Sequence, residues 1–202
     1  MTAGVRILLI SGSTRSGSGN TAALRTVQAL APPGITALMY DGLAALPAFN
    51  PDQDQVPPRQ AAELREQIAA ADALLFCTPE YAGTLPGSLK NLLDWTVGGG
   101  EIYGKPVAWI NVAAGGRGTG AQEHLALVLR YVGCVAVGQA CALVPVPRGA
   151  AGPDGTIGDT AIRAALAASL TGLVTHVRDE REHAGNDSSA GHRGRRRYVD
   201  AR

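Results

Sequence analysis

Thr78-Pro79-Glu80-Tyr81-Ala82-Gly83-Thr84-Leu85-Pro86-Gly87-Ser88-Leu89-Lys90-Asn91-Leu92-Leu93-Asp94-Trp95 follows the apolar run Ala73 to Cys77 and leads into a short helix. A short apolar run bounded by turn residues reads as a strand buried on both faces. The prolines and glycines that follow it leave backbone amides and carbonyls uncommitted to a ladder or a helix. Such a backbone can read the polar edges of a planar ligand without any special side chain.

A second loop of the same placement lies near the start of the chain. Val5 to Ile10 is a mostly apolar run that suits a central parallel strand, and an Ala- and Leu-rich helix is expected from about Ala22 to Leu30. Between them, Ser11 to Thr21 reads Ser-Gly-Ser-Thr-Arg-Ser-Gly-Ser-Gly-Asn-Thr. Free amides and the positive end of the following helix dipole suit an anion here. Arg15 can add a charge-assisted contact to a phosphate, and Ser13, Ser18, Asn20 and Thr21 can donate as well. A triphosphate loop is excluded, because Ser18 and Gly19 stand where the lysine and hydroxyl residue belong. Gly17 to Ala22 matches G-x-G-x-x-A, but about six loop residues separate it from the strand end, which a dinucleotide fingerprint does not allow. The plainer alternative is a serine/glycine turn capping the helix through Asn20.

Strands and helices alternate along the rest of the chain. Strands are expected at Ile35 to Tyr40, Ala73 to Cys77, Pro106 to Val112 and within Cys134 to Val144. Helices are expected at Ala61 to Ala71, Gly87 to Thr96, Gln122 to Val132 and Thr160 to Val177. Five strands separated by helices imply an α/β domain whose parallel sheet is covered on both faces. Strand order is not readable from these patterns.

The two loops resemble the NAD(P)H-dependent FMN reductase family, whose members carry T-P-E-Y-N-x-S-x-P-G-x-L-K-N-x-x-D-W and G-S-x-R-x-x-S-x-N. The second pattern is complete in Gly12, Ser13, Arg15, Ser18 and Asn20; the first has Ala82 in place of asparagine and Thr84 in place of serine. The resemblance implies a flavodoxin-like three-layer sandwich of strand order 2-1-3-4-5, with the ligand at the switch point beyond strands one and three. It implies FMN as cofactor, its phosphate on Ser13, Arg15, Ser18, Asn20 and Thr21 and its ring along Pro79, Glu80, Tyr81, Ala82 and Gly83. Backbone, more than side chains, is expected to act at Glu80, with Tyr81 packed beside the ring. A third contact is expected from the glycine-rich loop after the fourth strand, at Ala114, Gly115 and Gly116, where Arg117 could meet an anion. The family's R-A-Q at the end of that loop is here Gly120-Ala121-Gln122. The implied activity is ping-pong hydride transfer from NADPH or NADH to FMN, then to a quinone, azo, flavin or metal-oxyanion acceptor. The resemblance also implies a homodimer or homotetramer, for which Gly42 to Val56 and Trp95 to Tyr103 are candidate contacts.

Composition agrees with this reading. The chain has 202 residues, at the upper end of the about 100–200 residues of one domain. That domain is expected over 1–177, with 178–202 a disordered, mildly basic tail carrying Arg193, Arg195, Arg196 and Arg197. A net charge of +1 offers no global field for nucleic acid or a membrane surface, and no apolar run approaches the ~20 residues of a membrane span. Cys77, Cys134 and Cys141 sit in apolar runs and suit a reducing, cytoplasmic compartment. His124, His176, His183 and His192 lack the spacing of a metal site, and no acid, base or nucleophile stands out, which suits chemistry carried by a cofactor. Two alternatives stay open. One is an FMN electron carrier, disfavoured by the lack of acidic charge. The other is a binding module that has lost tight flavin binding, kept open by Ala82 and Gly120.

Overall fold

Arg6 alone of the residues in Val5–Ser11 (β1) meets solvent, so this strand must lie at the centre of a sheet covered on both faces. In the computed structural model, which describes residues 4–194 with side chains to 185, β1 is flanked by Ile35–Tyr40 (β2) and Ala73–Cys77 (β3). Pro106–Asn111 (β4) and Val135–Ala136 (β5) extend the sheet beyond β3, giving the order β2-β1-β3-β4-β5 with all neighbours parallel. Register pairs Val5 with Ile35, Ile7 with Ala73 and Leu74 with Val107. The chain leaves β1 and β3 toward opposite edges of the sheet, and a crevice opens where the two connections diverge.

The single fifth strand expected within Cys134 to Val144 is broken in two. β5 pairs with the start of β4, while Ala142–Leu143 (β6) pairs with its end, and a 3-10 turn at Gly138–Ala140 separates them. The break follows from close packing above the turn. Ser169 Oγ donates to Ala140 O at 2.5 Å, and a Cβ at Gly172 would stand 3.3 Å from Gln139 O.

Among the described residues, five helices cover the sheet: Gly19–Leu30 (α1), Arg59–Ala70 (α2), Gly87–Asp94 (α3), Thr119–Tyr131 (α4) and Thr160–Gly194 (α5). Alternation along β1 splits the core. Ile7 and Leu9 face α1 and α5 with Leu24, Val27, Leu170 and Leu173, whereas Leu8 and Ile10 face α2, α3 and α4 with Leu64, Ile68, Leu92 and Leu125. Cys77 is buried and Cys134 and Cys141 partly so, and burial raises all three thiols, Cys134 to about 12.

α5 does not stop at Val177 as expected. Its charged continuation keeps good helix formers, and His176 meets Glu180 at 3.3 Å one turn on. Arg181 pairs with Asp72 at 2.6 Å and donates to Gly4 O at 3.4 Å, so packing includes the chain at least to Arg181. Arg193 lies among residues whose side chains are not described, and Arg195, Arg196 and Arg197 lie outside the described residues. By length and composition, Thr160–Gly185 could cross a membrane. Here its apolar residues Leu166, Leu170, Leu173 and Val177 are buried in the domain.

The long loop after β2 is fastened to α3. Asn91 Nδ2 donates to Pro47 O at 2.9 Å, its Oδ1 accepts from Phe49 N at 2.8 Å, and Trp95 Nε1 also donates to Pro47 O at 2.9 Å. Phe49 meets Trp95 edge to face at 5.0 Å, and Arg65 donates to both Trp95 O and Asp54 O. The Asn and Trp of K-N-x-x-D-W are thus structural. Asn91→Ala is expected to lower the unfolding free energy in urea by about 1–3 kcal/mol, because Phe49 N loses its acceptor. Asp94→Ala, which removes only the exposed Lys90 pair, is expected to cost less than about 1 kcal/mol in the same titration.

Candidate active site

The loops that follow β1, β3 and β4, together with the segment after β6, enclose a cleft of about 620 Å³ at the switch point. Arg15 and Asn20 enter it from the first loop, Thr78, Pro79 and Glu80 from the second, and Ala113, Ala114 and Arg117 from the third. Val146 to Ala151 close the remaining side. A groove of about 790 Å³ runs elsewhere, along α4 and β5, and shares no residue with these loops.

The first loop is held from below. Ser18 caps α1, its Oγ accepting from Asn20 N at 3.2 Å, so the helix begins at Gly19, ahead of the expected Ala22. Ser11 Oγ and Thr21 Oγ1 share a hydrogen bond of 2.8 Å, and Ser13 Oγ accepts from Arg15 N at 3.3 Å. The Cys77 thiol, kept protonated by burial, donates to Asn20 Oδ1 at 3.3 Å and links α1 to the end of β3. Among the described residues no acceptor meets the backbone N–H of Thr14, Ser16 or Gly17. Arg15 is exposed, and among the described residues its guanidinium reaches only Gly17 O, at 3.5 Å.

The second loop turns at Ala82 and Gly83. Tyr81 N donates to Thr84 O at 3.0 Å and Thr84 N to Tyr81 O at 3.1 Å, closing a two-residue hairpin. Both central residues have positive φ, 50° at Ala82 and 74° at Gly83, as a type I′ turn requires. Asn-Gly is the favoured pair for that turn, so an asparagine at this position has a backbone reason, and Ala82 fills the turn under strain.

The third loop is shaped by Asn111 at the end of β4. Its Nδ2 donates to Arg117 O at 3.0 Å and its Oδ1 accepts from Ala113 N at 2.9 Å. Helix α4 then starts at Thr119, and its N-cap, Gly118, has no capping side chain of its own. The cap comes from the second loop: Glu80 Oε2 accepts from Ala121 N at 3.1 Å, placing a carboxylate on the positive end of α4. The glutamate side chain therefore has a structural task of its own, as the cap of α4. The approach is so close that a Cβ at Gly120 would stand 2.3 Å from Gly83 O. In this chain glycine is the residue that fits where the family pattern has arginine.

Of the expected site residues, Arg15, Asn20, Pro79, Glu80 and Ala114 line the cleft. Ser18 and Thr21 build the loop from beneath, and half-buried Ser13 stands beside them. Tyr81, 52% exposed, lies with Ala82 and Gly83 on the hairpin outside the cleft lining, and Gly115 and Gly116 are exposed beyond Ala114. Sequence patterns gave no weight to Asn111 or to Pro147, Arg148 and Gly149. A polar residue ending an apolar strand, and a Pro-Arg-Gly turn signal after the last strand, were the available cues. Ala82→Asn is expected to raise the unfolding free energy by about 1 kcal/mol by relieving the left-handed alanine. Gly120→Ala should lower the melting temperature by several degrees in thermal circular dichroism, since the collision is with backbone.

Comparison with known proteins agrees with this arrangement. The family model described as NADPH-dependent FMN reductase matches residues 5–146. An NAD(P)H-dependent FMN reductase of Pseudomonas aeruginosa is 36% identical over 178 residues, covering 86% of this chain and 96% of the relative. A 2-hydroxy-1,4-benzoquinone reductase of a Burkholderia species is 37% identical over 139 residues, covering 67% of this chain and 75% of the relative. Among solved structures, the flavoenzyme NAD(P)H:(acceptor) oxidoreductase FerB of Paracoccus denitrificans superposes with a TM-score of 0.73 at 28% identity, covering 85% of this chain and 98% of that one. With a flavodoxin-like sheet, both loop motifs and a family match over most of its packed domain, this chain belongs to the NADPH-dependent FMN reductase family.

Proposed function

We propose that the cleft binds FMN and that the protein is an NAD(P)H-dependent oxidoreductase of quinone-reductase type. The observation that carries this reading is the convergence of three loops on one cleft at the switch point, one of them with unpaired amides and Arg15. The donor set fits the group. An anionic end is matched by Arg15, free N–H groups and the N-terminus of α1, while Pro79, Val112, Ala113 and Val146 offer apolar walls to a flat ring. A cleft of about 620 Å³ lies within the usual range of about 300–1,000 Å³ for small-molecule sites.

In this reading Ser13, Arg15 and the amides around Ser16 hold the phosphate, with Ser18, Asn20 and Thr21 keeping the loop in shape. Pro79 to Gly83 and the Ala113–Ala114 backbone border the ring, with Gly115 and Gly116 extending that border. Bound FMN supplies the chemistry, taking hydride from NADPH or NADH and passing electrons to a quinone, azo, flavin or metal-oxyanion acceptor in a second half-reaction. The chain's own task is placement: backbone dipoles set the charge felt at the ring edge, and the cleft admits donor and acceptor in turn. The benzoquinone-reducing relative favours a quinone as acceptor.

The purified protein is expected to show yellow flavin bands that bleach when NADPH is added without oxygen. Bands that bleach only with dithionite would instead identify an electron carrier, and a colourless protein that FMN cannot reconstitute would refute the reading. Arg15→Ala is expected to weaken FMN binding by about 1.5–3 kcal/mol, measured by flavin fluorescence quenching.

A further inference from the structure

The cleft carries more positive charge than an FMN phosphate uses. Its charged lining residues are Arg15, Arg117, Arg148 and a single carboxylate, Glu80, whose Oε2 is engaged by the N–H of Ala121. Among the described residues none of the three arginines forms an ion pair. Arg117 donates Nε to Ala114 O at 3.0 Å, and Arg148 has no hydrogen-bond partner among the described residues. The acidic groups near Arg148 in sequence are occupied locally. Asp154 accepts from Thr156 N and Oγ1 at 3.0 and 2.8 Å, and Asp159 from Ile162 N at 2.9 Å.

Arg148 is presented by a braced turn. Val146 N donates to Val112 O at 3.0 Å before the turn, Ala150 N donates to Pro147 O at 3.2 Å across it, and Gly149 takes φ 76°. Beyond it, Gly152 N donates to Thr156 O at 2.8 Å, and buried Ile157 donates its N–H to Thr26 Oγ1 at 2.9 Å on α1. This turn lies past residue 146, where the family match ends.

We infer that Arg148, with Arg117, forms a second anion subsite in the cleft, and that it holds the phosphates of the reduced nicotinamide dinucleotide. The inference rests on the proposed FMN reading, in which Arg15 and the loop after β1 are taken by the flavin phosphate. The two remaining guanidiniums come from the loops after β4 and β6 and line the same cleft, apart from the loop that carries Arg15. Forked N–H donors match phosphate oxygens, and the donor carries a pyrophosphate, with a further ribose phosphate on NADPH. A neutral quinone has no group that needs either arginine.

The test is calorimetric titration of the FMN-loaded protein with NADP+, which scores binding without turnover, joined to anaerobic stopped-flow reduction by NADPH. Arg148→Glu is expected to weaken NADP+ binding roughly tenfold or more and to raise the NADPH concentration for half-maximal reduction alike. The limiting reduction rate and FMN affinity should change by less than about twofold, and Arg148→Lys should recover part of the NADP+ affinity. NADP+ binding unchanged in Arg148→Glu overturns the inference. So does a KM increase confined to an anthraquinone sulfonate acceptor, which would assign the subsite to an anionic acceptor. Flavin in the unaltered protein that dithionite bleaches but NADPH does not would refute the oxidoreductase reading itself. A loss confined to the Arg148 variants leaves that reading intact.

Discussion

The absence of one Cβ, at Gly12, holds the ligand end of this molecule together. Its N–H donates to Cys77 O at 2.9 Å, and a side chain there would stand 2.1 Å from Thr78 Oγ1 and 2.9 Å from Leu89. Neighbouring central strands can therefore run in contact to their last residues before their loops part. Any larger residue would wedge β1 from β3 at the point where the two loops begin. The thiol of Cys77 adds a second tie across the same seam, through Asn20.

From that seam the site is assembled by groups borrowed across the chain. Glu80, on the loop after β3, completes the start of α4; Asn111, on β4, folds the loop that precedes α4. Each functional loop is thus fixed by a residue belonging to another element. Under the proposed FMN reading, what the chain must supply is rigid backbone placed around the cofactor.

Much of this was legible in the residues. The strands Ile35–Tyr40 and Ala73–Cys77 lie where apolar runs between turn signals place them, and the parallel sheet follows from alternation with helices. Strand order came only with the family resemblance. What stayed hidden depends on contacts between residues far apart. The split of the last strand requires α5 lying over Ala140, and the extension of α5 past Val177 depends partly on Asp72 meeting Arg181. In the site, local pattern located Arg15, Asn20 and Pro79. It could not show that the Glu80 carboxylate caps a helix 41 residues on, or that Arg148 faces the same cleft. Ala82 and Gly120 read as departures from a motif, whereas their geometry is that of a strained turn and a crowded backbone.

The packing of α1 against α5 carries a consequence for how the chain is made. The hydrogen bond from Ile157 N to Thr26 Oγ1 spans 131 residues, and the face of the sheet under α1 is completed by Leu166, Leu170 and Leu173. Until the residues of α5 are made, Leu9, Leu75 and Ile110 have α1 but lack the cover of α5 on that side. The nascent chain must therefore carry a half-covered apolar face until α5 clears the exit tunnel. It is in that interval, before the native state exists, that the protein is most exposed to misassociation and most dependent on chaperones.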